Sequence, residues 1–126
     1  MVERPDTPFL PRQVPVGGYS ARFFHFAGMS HDGSILALPS GMRPWAVESF
    51  SALTTSDFAP VIAEARAFDL LILGTGRDPA HLPERMKVAL RNAGIRFELM
   101  PTPAAASTYN ILLGEGRPVA AALIAF

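Results

Sequence analysis

The chain has 126 residues, of which 49% are hydrophobic and 17% charged, and its formal net charge is zero. This length predicts one domain with enough apolar material for a core, and neutrality argues against a nucleic-acid partner, because such proteins usually carry a basic excess. The absence of cysteine excludes disulfides and thiolate metal sites.

The N-terminal part of the chain is rich in proline and shows little periodicity. We predict an extended or disordered arm over residues 1–19 and a single α/β domain over residues 20–126. We see no signal peptide, and no apolar run reaches the ~20 residues that a membrane span needs. We therefore expect a cytoplasmic protein that does not insert into membranes.

An aromatic segment opens the predicted domain. Arg22–Phe26 is β-prone, residues 31–34 (His-Asp-Gly-Ser) are typical of a turn, and Ile35–Leu38 is a short apolar run, so together they predict a β-hairpin. The phenylalanines of the first strand cannot all face one side, since side chains alternate along a strand. We expect either a second layer against this hairpin or self-association through it, as a homodimer.

Helices and strands alternate in the rest of the chain. Met42–Val47 predicts a strand at a sheet edge, and residues 54–66 predict a helix with several possible N-caps. Leu70–Leu73 predicts a strand buried on both faces. Residues 82–93 predict a second helix, whose apolar face we assign to Leu82, Met86, Val88, Ala89 and Ala93.

The last third of the chain completes the predicted sheet. Ile95–Leu99 predicts a strand that forms, with Leu70–Leu73 and the helix between them, a βαβ unit of the usual right-handed sense. Thr102 and Pro103 are typical of the start of a third helix, which ends near Gly114. Residues 118–124 predict a final buried strand.

The candidate binding residues follow the buried strand Leu70–Leu73. Ligands of open α/β sheets bind at the carboxyl ends of strands, where this chain has Gly74, Thr75, Gly76 and Arg77. The backbone N–H groups of the turn and the Arg77 guanidinium would meet an anion. If the third helix starts beside this turn, its polar side chains would complete such a pocket, and we assign this part to Thr108 and Asn110.

A structural interpretation of the same residues is open as well. The glycine pattern lacks the third glycine of a dinucleotide fingerprint and the Gly-Lys-Ser/Thr of a phosphate loop. The turn would then be a tight connection in which Arg77 is paired or solvated. Asn110 would tie down a loop, and Tyr109 would pack with its hydroxyl group at the surface.

No pattern of catalytic or metal-binding residues is evident. His25, His31 and His81 have no second ligand type two or four residues away in the sequence, and the Gly-x-Ser-x-Gly nucleophile motif is missing. We therefore assign no catalytic residue, no metal ligand and no cofactor.

Several motifs taken together resemble a known family. The matching stretches are Pro39-Ser40-Gly41 with Trp45, Leu71–Gly76, Ala93–Ile95, Met100–Ala105, Thr108–Leu112 and Glu115–Leu123. About residues 20–126 resemble the domain-of-unknown-function family that includes mitochondrial complex I (NADH:ubiquinone oxidoreductase) assembly factor 3 and the adipogenesis-associated domain-containing protein. The resemblance implies a three-layer α/β fold with a mixed central sheet and an added N-terminal β-hairpin layer. It implies no established enzyme activity, and the start of the chain suits a bacterial cytosolic member.

These observations favour a binding or assembly module over an enzyme. We expect it to act by contact with an unidentified protein partner, in the biogenesis of a respiratory complex. The alternative is a small-molecule or anion-binding protein with its pocket at the turn Gly74-Thr75-Gly76.

Overall fold

The computed structural model describes residues 10–20 and 22–126, so the first half of the predicted proline-rich arm lies outside the described residues. The strands are β1 (Gly18–Ser20), β2 (Phe23–Phe26), β3 (Met29–Asp32), β4 (Ile35–Leu38), β5 (Gly41–Pro44), β6 (Leu70–Gly74), β7 (Arg96–Met100) and β8 (Val119–Leu123). The α-helices are α1 (Ala59–Ala63), α2 (Glu84–Asn92) and α3 (Thr102–Gly114). None of the helices in these two ranges has both the length and the apolar character needed to cross a membrane.

A mixed five-stranded sheet forms the centre of the fold, with the strand order β5-β4-β8-β6-β7. β6 runs parallel to β7 and to β8, whereas β4 runs antiparallel to β5 and to β8. The parallel strands β6 and β7 are joined through α2, as the predicted βαβ unit requires. This arrangement confirms the predicted α/β fold with a mixed central sheet.

The two faces of this sheet are covered by two different layers. One face packs with α1 and α2 around a cluster that includes Leu71, Met86 and Leu90. The other face packs with α3 and β2 around a cluster that includes Ile72 and Tyr109. Because neighbouring strand residues point to opposite faces, the unbroken apolar runs of β4, β6 and β8 supply both clusters at once.

The added N-terminal layer is confirmed, but its predicted composition is wrong. β2 pairs with β3 through a turn at Ala27-Gly28, and β1 joins them in a separate three-stranded sheet. Ile35–Leu38 belongs instead to the central sheet, where β8 lies beside it. All four residues of that strand are buried, which explains why it needs a covered sheet rather than a surface hairpin.

The aromatic strand β2 is divided between two environments. Phe24 and Phe26 are buried in the cluster with Tyr109, while the Phe23 side chain is 42% exposed. A second layer therefore accommodates two of the three phenylalanines without a second copy of the chain.

His31 on β3 is partly buried, and this desolvation lowers the pKa of its imidazole below the ordinary value.

The part of the proline-rich segment that the structure describes packs against the domain. Leu10 forms a β-bridge with Met42, and Val14 and Val16 are buried in the cluster with Tyr109. The Gln13 amide nitrogen donates hydrogen bonds to the carbonyl oxygens of Ala37 (3.1 Å) and Val119 (2.6 Å). Gln13, Val14 and Val16 of the predicted arm therefore contact the rest of the domain.

Two helix predictions need correction. Residues 54–66 form a 3₁₀ turn (Thr55–Phe58), the short helix α1 and a second 3₁₀ turn (Ala65–Ala67), and not one continuous helix.

The predicted apolar face of α2 wrongly included Val88, which is 43% exposed. Residues two apart in a helix point in nearly opposite directions, so Val88 cannot share a face with the buried Met86.

Candidate functional site

The turn after β6 is held by hydrogen bonds inside the protein. The Thr75 N–H donates to the Met100 carbonyl oxygen (2.9 Å), and the Gly76 N–H donates to Oγ1 of Thr102 (2.8 Å). The Thr75 hydroxyl group donates to the Asp78 carbonyl oxygen (2.7 Å). The backbone donors that we expected to face an anion are therefore already used within the fold.

Gly74 is required by the close approach of α3. A Cβ atom at this position would lie 2.8 Å from Oγ1 and 3.0 Å from Cα of Thr102, and 3.2 Å from Cβ of Ala105. These distances are shorter than normal carbon contacts. The glycine therefore allows the first turn of α3 to rest on the end of β6.

Thr102 connects three segments at this end of the sheet. Its hydroxyl group accepts the bond from Gly76 and donates to the Ile124 carbonyl oxygen (2.7 Å), while its own N–H donates to the Gly76 carbonyl oxygen (2.8 Å). Thr102 is fully buried. It therefore joins the turn after β6, the start of α3 and the segment after β8.

A cleft of about 450 Å³ lies beside this turn. Its walls come from Arg22 and from residues 48–51, 75–80 and 124–126, and they carry charged groups of both signs. Arg77 is exposed and makes no hydrogen bond or ion pair with the residues that the structure describes. Arg77 is therefore an exposed positive charge on the wall of this cleft.

Arg22 is a cleft residue that the sequence did not reveal. Its backbone has φ +74°, in the left-handed region that costs a side-chain-bearing residue energy. Its guanidinium donates to the Glu48 carbonyl oxygen at 3.3 Å. Nothing in the local sequence distinguishes it from an ordinary residue at the start of a strand.

Thr108 and Asn110, the two predicted site residues outside the turn, do not line this cleft. Thr108 directs its hydroxyl group to Sδ of Met100 (3.5 Å). Asn110 holds the N-terminal segment, because its side chain accepts from the Val16 N–H (2.8 Å) and donates to the Val16 carbonyl oxygen (2.7 Å). The structure therefore brings together Gly74, Thr75, Gly76 and Arg77 but places Thr108 and Asn110 elsewhere.

Tyr109, like Asn110, holds the N-terminal segment against the domain. Its ring is fully buried, and its hydroxyl group donates to the Val14 carbonyl oxygen (2.9 Å). Burial raises the pKa of this hydroxyl group above its ordinary value, so it remains a neutral donor at physiological pH. The expectation of a surface hydroxyl group was wrong, whereas the interpretation of Asn110 as a tie for a loop matches its contacts.

The solvent-facing side of α3 differs from that of α2. The helix has 13 residues, none of them charged. Ala104, Ser107 and Ile111 share an exposed face, and the Ile111 side chain is 62% exposed. We call these three residues the α3 outer strip. The exposed face of α2, by contrast, carries Glu84, Arg85 and Arg91.

Comparisons with known proteins identify the family. A family model described as "Protein of unknown function (DUF498/DUF598)" matches residues 16–124. The chain belongs to this family. The matched region contains both the turn at Gly74 and the α3 outer strip.

Within the described residues, no group of three or more histidine, aspartate or glutamate side chains is placed to hold a metal ion.

Three similar proteins show how the family is represented elsewhere. An uncharacterized protein of Rhodobacter capsulatus is 39% identical over 95% of this chain and 91% of its own length. NADH dehydrogenase [ubiquinone] 1 alpha subcomplex assembly factor 3 of Mus musculus is 32% identical over 91% of this chain, which spans 62% of the mouse protein. The crystal structure of an outer membrane protein from Bartonella henselae has a TM-score of 0.87 and 38% identity, covering 91% of this chain and 97% of that one.

Proposed function

We propose that this protein is a non-enzymatic binding and assembly module that acts by protein–protein contact in the biogenesis of a respiratory complex. The name of the mouse relative, an assembly factor for NADH dehydrogenase, supports the assembly role. The α3 outer strip is the surface that we assign to the partner.

The lack of charge on α3 is the observation that carries this proposal. A helix that covers one face of a sheet normally turns charged or polar side chains toward water. Here the exposed face is made of small residues and an isoleucine that is 62% exposed. Protein interfaces are depleted of charge at their centres, and the strip shares this lack of charge. Its small residues allow a partner's backbone to approach closely.

Substitution of Ile111 by glutamate is expected to weaken partner capture by tenfold or more, because a charge would be buried at the centre of the contact. Tagged wild-type and variant chains would be used to capture proteins from the native organism, followed by quantitative mass spectrometry. The wild-type chain should enrich subunits or assembly factors of a respiratory complex. Val88→Glu is the matched control, because Val88 is a similarly exposed aliphatic residue on the charged surface of α2.

Two results would contradict this proposal. One is that the wild-type chain enriches no respiratory-complex protein. The other is that Ile111→Glu and Val88→Glu retain equal amounts of the captured protein, since the contact would then lie on another surface. Circular dichroism of both variants would establish that each is folded.

The remaining parts of the proposal concern location and partner class. We infer a cytoplasmic protein with no nucleic-acid partner and no inserted membrane segment. The zero net charge supports the exclusion of nucleic acid.

Binding of a small anion is the second candidate function. We place its site in the cleft rather than in the turn, because the N–H groups of Thr75 and Gly76 are already bonded. The observations in its favour are the exposed guanidinium of Arg77, which has no ion pair among the described residues, and the unfavourable backbone conformation of Arg22 on the cleft wall. Strained backbone is often kept at binding sites.

A thermal-shift screen with nucleotides and carboxylates tests this second function. A ligand present at about 100 times its Kd would stabilise the protein by roughly 2.7 kcal/mol, which raises the melting temperature by several degrees. Arg77→Ala should abolish the shift. Arg117→Ala, the same change at another exposed arginine outside the cleft, should keep it. The idea fails if no compound shifts the wild-type protein or if Arg77→Ala has no effect.

A further inference from the structure

The outer side of β7 is an open edge of the central sheet. β7 pairs with β6 on one side, and no other described strand lies beside it. The opposite edge strand, β5, is partly covered, because Met42 and Leu10 exchange backbone hydrogen bonds. Open edges expose backbone donors and acceptors that can pair with another strand.

The backbone groups that face this open side can be identified. The Met100 carbonyl oxygen accepts from the Thr75 N–H and therefore points toward β6. Because successive residues of a strand direct their backbone groups to alternate sides, Arg96 and Glu98 also bond toward β6. Phe97 and Leu99 direct their N–H and C=O groups outward. The Ile95 N–H is occupied by the Leu90 carbonyl oxygen at 2.9 Å, which leaves the Ile95 carbonyl group available.

Two exposed side chains of opposite charge lie along the same edge. Arg96 and Glu98 are two residues apart and so project from the same face of the strand. Both are exposed, and neither makes an ion pair within the part of the chain that the structure describes. Charges of a single sign would repel a second copy of this strand, whereas this alternating pair is self-complementary in one antiparallel register.

We propose that β7 pairs with β7 of a second copy of this chain, antiparallel and centred on Phe97, so that the two central sheets join into one. In this register Arg96 of each copy lies directly opposite Glu98 of the other. Opposite charges in directly facing positions stabilise a strand pair, and like charges destabilise it.

The backbone pattern fits the same register. Phe97 of one copy and Phe97 of the other exchange hydrogen bonds across the two-fold axis, and each Leu99 N–H donates to the Ile95 carbonyl oxygen of the other copy. Arg96 and Glu98 then occupy non-hydrogen-bonded positions, where facing side chains are closer together. A register centred on Glu98 would set two carboxylates against each other, and one centred on Leu99 would oppose Phe97 with Pro101, which has no N–H group.

Charge reversal tests the proposal through the dimerisation constant measured by analytical ultracentrifugation. Arg96→Glu and Glu98→Arg should each weaken the dimer by roughly tenfold or more, because each converts two attractive pairs into repulsive ones. The double variant R96E/E98R should recover wild-type affinity. An equimolar mixture of the two single variants should form a heterodimer, since one then supplies two acids and the other two arginines.

A cross-link tests the register independently of charge. The wild-type chain has no cysteine, so an engineered cysteine has no competing thiol. Phe97→Cys should form a disulfide-linked dimer on mild oxidation, because facing hydrogen-bonded residues have Cα atoms about 5.5 Å apart, within the range that a disulfide spans. Leu99→Cys is the matched control and should not cross-link, because it faces Ile95.

The control for charge itself is Arg85→Glu, the same reversal at an exposed arginine on α2. It should leave dimerisation unchanged. A wild-type chain that stays monomeric at millimolar concentration would overturn the proposal. So would a dimer that tolerates both single reversals, or one in which Leu99→Cys cross-links and Phe97→Cys does not. The proposal does not depend on the α3 outer strip, so either can fail without the other.

Discussion

Replacing Thr102 with valine is expected to lower the free energy of unfolding by about 3 kcal/mol. Valine has nearly the same shape as threonine but lacks the hydroxyl group, so packing is preserved while two hydrogen bonds are lost. The Gly76 N–H and the Ile124 carbonyl group would then be left without partners in a buried position. Each unsatisfied buried group costs roughly 1–3 kcal/mol, which makes this a large effect for a change of one atom.

Urea unfolding followed by circular dichroism would measure this loss, with Thr108→Val as the matched control. Thr108 lies on the same helix, but its hydroxyl group donates to the Met100 sulfur at 3.5 Å, and sulfur is a weak acceptor. Its substitution should cost less than about 0.5 kcal/mol. If the two variants lost equal stability, Thr102 would not be the residue that joins the turn to α3.

The regular parts of the central sheet could be predicted from the sequence because their signals are local. Leu70–Leu73 is an unbroken apolar run, which is typical of a strand covered on both faces, and it is β6 at the centre of the parallel part of the sheet. The start of α3 is predicted to within one residue, because a proline in the first turn is a strong helix-start signal. Thr102, which the sequence suggests as the N-cap, is the first residue of the helix, and Pro101 is the N-cap.

The hairpin prediction failed because two local signals competed. Residues 31–34 have the polar and glycine composition of a turn, whereas the true turn at Ala27-Gly28 has only one such residue. Ile35–Leu38 is apolar at every position, like Leu70–Leu73. That pattern favours a central strand. When this apolar pattern is given more weight than the turn-like composition of residues 31–34, the sequence assigns β4 to the central sheet and not to the hairpin.

The distribution of the candidate site residues could not be predicted, because it depends on contacts between distant parts of the chain. Val16 and Asn110 are 94 residues apart in sequence, and no periodicity links them. The sequence located the turn after β6 correctly beside the start of α3. It did not show that Thr102, rather than Thr108 or Asn110, is the polar residue of α3 that meets the turn.

Gly41→Ala is expected to destabilise the protein by about 3 kcal/mol and to release the segment at residue 10 from the edge of β5. A Cβ atom at Gly41 would lie 1.9 Å from the Leu10 carbonyl oxygen, and the backbone there has φ +141°. Leu10 would have to move away, which breaks its hydrogen bonds with Met42. Denaturant unfolding would measure the stability, and hydrogen exchange would report the release of residues 10–17.

Gly28→Ala separates the two causes of the stability loss, which are the steric clash with Leu10 and the strain of a positive φ. Gly28 also has a positive φ, +76°, but no atom lies within 4 Å of a Cβ built there, so the substitution costs only backbone strain, about 1 kcal/mol. It should leave exchange in residues 10–17 unchanged. Two results would contradict this prediction: Gly41→Ala lowers the free energy of unfolding no more than Gly28→Ala does, or it leaves hydrogen exchange in residues 10–17 unchanged. In either case the N-terminal segment would contribute little to the stability of the domain. The larger loss with faster exchange would mean that Val14 and Val16 are core residues and that the folded domain begins before residue 20.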